Sequence, residues 1–218
     1  MLSGPSPLPP DKRPIKTKWV FKAKRDASGN IVRYKAQLVA KSCSQKYRVD
    51  YLETYSPVVR YVSIRYLVAL AVKLQFNIDQ MDAVTAFFQG DLLEEIYIEQ
   101  PFGFHDNSER VCKLKKAIYS LKQSGREWNR KLDGALRSFG LVKSNTDPCV
   151  YFTNNTELIV AIYVDDILIF WKCKSIRDKI KTVLSTSFKM KDMGQATNCI
   201  GLNITTKWVF SAIGRKSA

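Results

Sequence analysis

Two adjacent carboxylates, Asp165 and Asp166, interrupt the apolar run that extends from Leu158 to Trp171. Aspartate is poor in strands, and neighbouring carboxylates repel unless something compensates them. Both flanks are strongly β-forming, so the doublet reads as a tight hairpin that presents two acids at the rim of a sheet. A plain preference of Asp for turns accounts for the doublet equally well. A third acid shifts the balance. Asp82 sits in another mostly apolar stretch, Phe76 to Phe88, where a lone carboxylate is costly to bury. Three acids converging on one sheet edge, in a protein of net charge +15, have an economical explanation in divalent metal binding. Two Mg²⁺ ions held roughly 3.5–4 Å apart activate an attacking oxygen and stabilise a leaving one, which is phosphoryl-transfer chemistry. A Ser-His-Asp machinery fails for want of histidine. The single His105 lies in a Pro/Gly loop with no evident partner.

The elements that must position these acids follow from periodicity. Met1 to Pro14 holds five of the eight prolines and reads as a disordered or extended leader. Two extended runs, from Trp19 and from Ile31 to Ala40, flank the turn cluster Asp26 to Asn30 and predict a long, basic β-hairpin. Ser63 to Leu74 has helical spacing with Ile64, Leu67, Val68, Ala71 and Leu74 on one face. Phe76 to Phe88 is expected as a strand, Ile96 to Ile98 as a short strand, and Glu127 to Gly140 as a helix burying Trp128, Leu132, Leu136 and Phe139. Cys149 to Phe152, Leu158 to Val164 and Ile167 to Trp171 are expected as strands. Ser175 opens a further helix, with Asp178 as its capping-box partner. Strand pairs interleaved with helices predict an α+β fold, a ferredoxin-like antiparallel sheet with helices on one face.

Composition bounds the partners. The 218 residues carry 35 Lys and Arg against 20 acids, a surplus that points to a polyanion, nucleic acid or anionic membrane. Leu158 to Trp171 is too short to span a bilayer and holds two acids. The N-terminus lacks the basic and apolar regions of a signal peptide. Five scattered cysteines without a CxxC pair support neither a zinc site nor a disulfide framework. They read as small core residues of a reduced, intracellular protein.

Beyond this, the residues carry a family resemblance. Tyr163-Val164-Asp165-Asp166 is similar to the Y-x-D-D motif of reverse transcriptases. In family order, Lys18 to Lys22, Tyr34-Lys35-Ala36, Leu38 to Lys41 and Thr54 to Val58 resemble the fingers of Ty1/copia-type retrotransposon enzymes. So do Asp82…Ala86-Phe87…Gly90-Asp91-Leu92, Glu99-Gln100-Pro101…Gly103-Phe104, Leu121-Lys122-Gln123 and Met190 to Gly194. The resemblance covers about residues 8–206.

The resemblance implies a fingers-and-palm core. It places the leader at 1–14, fingers at 15–75, a palm at 76–206 with a fingers segment at about 95–125, and a tail at 207–218, with thumb and RNase H domains absent. It implies an RNA-directed DNA polymerase that joins dNTPs to a primer 3′-OH on an RNA template, using two Mg²⁺ ions or Mn²⁺ in their place. Asp82, Asp165 and Asp166 match the catalytic, metal-holding acids, with the Ala83 carbonyl an extra ligand. Phe87 matches the aromatic gate against a ribose 2′-OH. Lys22, Lys35, Lys122, Gln123 and Tyr163 fall at nucleotide- or template-contacting positions. Ile200, Gly201 and Leu202 resemble the turn that grips the primer end. The implied setting is cytoplasmic or a virus-like particle.

Four residues depart from the pattern: Gln37 stands in place of Arg, Ser42 and Ser120 in place of Gly, and Gly125 in place of Pro or Ala. The alternatives are a catalytically inert, transposon-derived nucleic-acid-binding remnant, a metal-dependent nuclease built on the same acids, and a chain with no selected function.

Overall fold

The computed structural model describes residues 2–26, 28–199, 201–204 and 211–212. In chain order the elements are β1 (Thr17–Arg25), β2 (Ile31–Ala40), α1 (Tyr61–Leu74), β3 (Asn77–Ala83), α2 (Ala86–Gln89), β4 (Tyr97–Glu99) and β5 (Val111–Lys113). They continue with α3 (Ser124–Ser138), β6 (Val142–Lys143), β7 (Val150–Phe152), β8 (Leu158–Tyr163), β9 (Asp166–Trp171) and α4 (Lys174–Ser187). β10 (Met190–Gln195), β11 (Asn198–Cys199), β12 (Leu202–Asn203) and β13 (Ser211–Ala212) follow. The protein is thus mixed α and β, with antiparallel sheets and four helices among the described residues. Contacts divide it into two compact units, residues 1–56 with 86–132 and residues 57–85 with 133–218.

In the first unit, β1 and β2 form an antiparallel hairpin running from Thr17↔Ala40 to Arg25↔Ile31. The Asp26 carboxylate closes its turn by accepting from the Ser28 and Asn30 amides, and Gly29 supplies the left-handed residue (φ 89°). Strand alternation sorts the arm into two faces. Lys18, Lys22 and Lys24 share one face with Lys35 and Arg33, whereas Trp19 and Phe21 share the other with Tyr34, Ala36 and Leu38. Trp19 stacks on Phe21 and packs at a tilt against Phe104, and its indole N–H donates to the Phe102 carbonyl.

The core of this unit gathers Ile15, Ala40, Ile96, Ile98, Cys112, Leu114, Ile118 and Leu121. The leader, expected as disordered or extended, is ordered by pairing. Ser6 exchanges both backbone hydrogen bonds with Val111, and Ile15 bridges Ile98. An extended, proline-rich segment still has enough free amides to add to the edge of β5, a non-local contact that composition does not announce.

The second unit is built on a six-stranded antiparallel sheet in the order β10-β3-β9-β8-β7-β6. Its centre is apolar, with Met81, Val160, Ile167 and Ile169 fully buried. α1 buries Ile64, Leu67, Val68 and Ala71 of the expected stripe but leaves Leu74, in its last turn, exposed, and α4 lies against β9 and β10.

Three local expectations are corrected. The strand foreseen over 76–88 ends at Ala83. Thr85 then takes a left-handed φ of 54°, and a four-residue helix follows. The capping box at α4 does not form. Its N-cap is Cys173, with no side-chain cap, and the Asp178 carboxylate accepts from Arg177 instead. Of the cysteines, Cys112 and Cys149 are buried, but Cys43 and Cys173 are exposed free thiols.

Candidate active site

Asp82 lies near the end of β3 and Asp166 opens β9. The two strands are antiparallel neighbours in which Asp82 stands directly opposite Asp166. Opposed residues of an antiparallel pair project from the same face, so these two carboxylates share one side of the sheet. Asp165 occupies the two-residue turn between β8 and β9, closed by the Tyr163↔Asp166 pair. The Ala83 amide donates to the Asp165 carbonyl at 2.8 Å, which ties the turn to the end of β3. The turn carries strain. Val164 has φ 57°, a left-handed value that costs a β-branched residue of order 1–3 kcal/mol and that hairpin turns usually give to glycine.

The opposite face of β3 is compensated. Asp79, buried, is bridged by Lys181 at 2.5 Å and by Arg177 at 3.8 Å, both on α4. Alternation therefore turns Asp82 away from α4. On its own face the charge stands uncompensated. Among the described residues no Lys or Arg forms an ion pair with Asp82, Asp165 or Asp166, although Lys191 stands opposite Asp82 on β10. Burial pushes the Asp166 carboxyl up, and the neighbouring Asp165 and Asp82 push it further, against a hydrogen bond from Gln80. That bond runs from Gln80 Nε2 to Asp166 Oδ1 at 2.7 Å. Among the described residues, no three His, Cys, Asp or Glu side chains are gathered closely enough to cage an ion. The strained Val164–Asp165 turn thus stands beside the opposed Asp82 and Asp166, with none of the three carboxylates ion-paired among the described residues.

The chain matches the family profile described as reverse transcriptase (RNA-dependent DNA polymerase) over residues 6–213. The chain belongs to the reverse transcriptase family. It is 48% identical over 202 residues to the retrovirus-related Pol polyprotein from transposon TNT 1-94 of Nicotiana tabacum, covering 90% of this chain and 15% of that one. It is 38% identical to the Pol polyprotein from transposon RE2 of Arabidopsis thaliana, over 85% of this chain and 13% of the relative. Against the Ty1-ER2 Gag-Pol polyprotein of Saccharomyces cerevisiae it is 29% identical, over 88% of this chain and 11% of the relative. The relatives are Ty1/copia-type polyproteins, of whose length this chain spans about an eighth. The family makes it an RNA-directed DNA polymerase domain by kinship.

The remaining reverse-transcriptase positions fall as follows. Tyr163 ends β8 and Ala83 ends β3, both in the unit that holds the acids. Lys22, Lys35, Phe87, Lys122 and Gln123 belong to the other unit. There Lys22 and Lys35 are opposed across the hairpin. Lys35 sits 5.8 Å from the centroid of the Tyr119 ring, and Phe87 meets that ring edge-on at 4.9 Å. Lys122 lies over the Tyr51 ring and donates to its hydroxyl. Gln123 is fully buried. Its Nε2 donates to the Asp50 carbonyl and its Oε1 accepts from Gln45 Nε2, so both ends of the amide are engaged within the unit. Gly201, with φ 75°, lies between β11 and the buried Leu202 of β12, and Ile200 lies outside the described residues.

Two departures from the family pattern acquire physical meaning. Ser120 holds a left-handed φ of 66°, a conformation that glycine adopts without strain. A Cβ added at Gly125 would lie 2.8 Å from Ser56 Oγ, so the Pro or Ala usual there would collide with this neighbour. Sequence reasoning missed Gln80 and Asp79. The first has a readable signal, because it lies two residues before Asp82 and so on the same face of an extended strand. The second depends on Arg177 and Lys181, nearly a hundred positions away.

Proposed function

We propose that this chain is the fingers-and-palm core of a copia-type reverse transcriptase, joining dNTPs to the 3′-hydroxyl of a DNA primer on an RNA template. The observation that carries the reading is the register Asp82↔Asp166 beside the Asp165 turn, with no Lys or Arg ion-paired to any of the three among the described residues. On this reading the unit with the six-stranded sheet is the palm, and the unit with the basic hairpin is the fingers. Asp82, Asp165 and Asp166, with the Ala83 carbonyl, would hold two Mg²⁺ ions, which would supply charge neutralisation for the phosphoryl transfer. The primer oxygen forms a bond to the α-phosphorus while the bond to pyrophosphate breaks. The strained turn at Val164 fixes where two of the carboxylates stand. Phe87 takes the position of the gate over the sugar, Lys22, Lys35, Lys122, Gln123 and Tyr163 take the nucleotide- and template-contacting positions, and Gly201 and Leu202 take the primer-end turn.

Primer extension on poly(rA)/oligo(dT) with Mg²⁺ or Mn²⁺ tests the reading, beside Asp165→Asn and Asp166→Asn. The expected result is extension by the wild type that the variants lose by 10³-fold or more. Salt-sensitive binding of primer-template with no extension by any protein would instead establish an inert nucleic-acid-binding remnant.

A further inference from the structure

Among the described residues, Asp166 is the one of the three acids held by a side-chain hydrogen bond from outside the trio. Gln80 Nε2 donates to Asp166 Oδ1 at 2.7 Å. The register explains why glutamine reaches it. Gln80 stands opposite Leu168 on β9, so Asp166 is its diagonal neighbour, two residues along the partner strand and on the same face. Diagonal neighbours lie about 7–8 Å apart at the backbone, a gap that a glutamine spans and an asparagine does not. The donor is neutral. A lysine or arginine in its place would neutralise the carboxylate and compete with any cation, whereas an amide orients it and leaves its charge in place. With Oδ1 accepting from Gln80, Asp166 Oδ2 has no hydrogen-bond donor among the described residues.

We propose that Gln80 is a positioning residue of this site, fixing the Asp166 carboxylate in the orientation that receives a divalent cation. It touches neither substrate nor primer on this reading and acts only through Asp166. The inference rests on the polymerase assignment of the three acids, so its test must fail separately from that assignment. Outer hydrogen bonds to a ligating group typically set 10- to 100-fold in metal affinity.

The experiment is a titration of the metal-free chain with Mn²⁺, followed by the EPR signal of the free ion, with thermal melting recorded on the same samples. Gln80→Met keeps length and volume but removes the donor, and Gln80→Asn keeps the amide but removes the reach. Both are expected to weaken Mn²⁺ binding about 10-fold, with melting temperatures within about 3 °C of the wild type. Asp165→Asn/Asp166→Asn, the reference, is expected to abolish that binding. A wild type that binds Mn²⁺ through the acids, matched by Gln80→Met, would overturn the role of Gln80 and leave the polymerase reading intact. Affinity lost only in proportion to a collapsed melting transition would likewise overturn it, in favour of a merely fold-supporting contact. Equal Mn²⁺ binding by the wild type and the double Asn variant would bring down the metal reading itself, and Gln80 with it.

Discussion

Asp147 shows how a single carboxylate can organise the unit that holds the candidate acids. α1 begins at Tyr61 behind Arg60, an N-cap with no side-chain cap of its own. The missing acceptor comes from 87 positions away. Asp147 Oδ2 accepts from the Arg60 amide at 3.0 Å and from the Ser63 hydroxyl at 2.6 Å, while Oδ1 accepts from the Cys149 amide at 3.1 Å. Burial pushes this carboxyl up, but the bonds from Ser63, Arg60 and Cys149 outweigh it and leave the group below its ordinary value. A lowered acid contributes stability that is fully present above the ordinary carboxylate range and is lost as pH falls through the folded-state value. Asp147→Ala therefore costs about 3 kcal/mol at neutral pH, since two backbone amides and a hydroxyl lose their acceptor. Urea unfolding at a series of pH values checks the sign. The gap between wild type and Asp147→Asn is expected to be full at about pH 6 and to close below about pH 4. A gap independent of pH would mean that the carboxylate's charge plays no part in the cap. In the sequence, Asn145 to Pro148 announces only a chain break, because what makes Asp147 a cap is the arrival of α1.

At the scale of elements, what was legible is what is local. The hairpin turn, the apolar stripe of α1, and the paired strands flanking Asp165 and Asp166 all follow from spacing and turn chemistry within a dozen residues. The four-residue α2 is too short to carry a period, and the leader's order depends on β5 a hundred residues on. The candidate site divides along the same line. The tight turn between β8 and β9 that carries Asp165 was readable. The burial of Gln123 was not, for it depends on Gln45 and Asp50.

The hairpin also sets like charges against each other. Lys22 faces Lys35 and Lys24 faces Arg33 directly across the ladder, and opposed like charges weaken an antiparallel pair by roughly 0.2–1 kcal/mol each. On the proposed polymerase reading, an arm with such pairs serves a phosphate backbone outside it. Lys24→Glu should then have effects of opposite sign. It should stabilise the arm by about 0.5 kcal/mol in chemical denaturation, and weaken primer-template binding several-fold at low salt. Equal binding by this variant and the wild type would mark Lys24 as a solubilising charge only.

For the whole molecule the deciding quantity is how its +15 is spread. The unit with the hairpin carries 20 Lys and Arg against 11 acids, and the unit with the three candidate acids carries 15 against nine. Both units are thus basic, yet three of those nine acids lie together at one sheet edge without an ion-paired cation among the described residues. A surplus meant only for solubility has no reason to leave such a gap. On the proposed reading, the surplus holds a phosphate backbone while the local acids hold cations. The two origins separate in salt. Neutralising about six phosphates releases their counterions, so log K falls with a slope near −5 against log salt, about a 10³-fold loss between 50 and 200 mM KCl. Fluorescence anisotropy of a labelled RNA–DNA primer-template across that range gives the slope directly. Lys22→Ala and Lys35→Ala should each reduce it by about one, whatever the template sequence, as expected of contacts to phosphate rather than to bases. A slope near zero would detach the charge from nucleic acid and leave the acids without a substrate to act on.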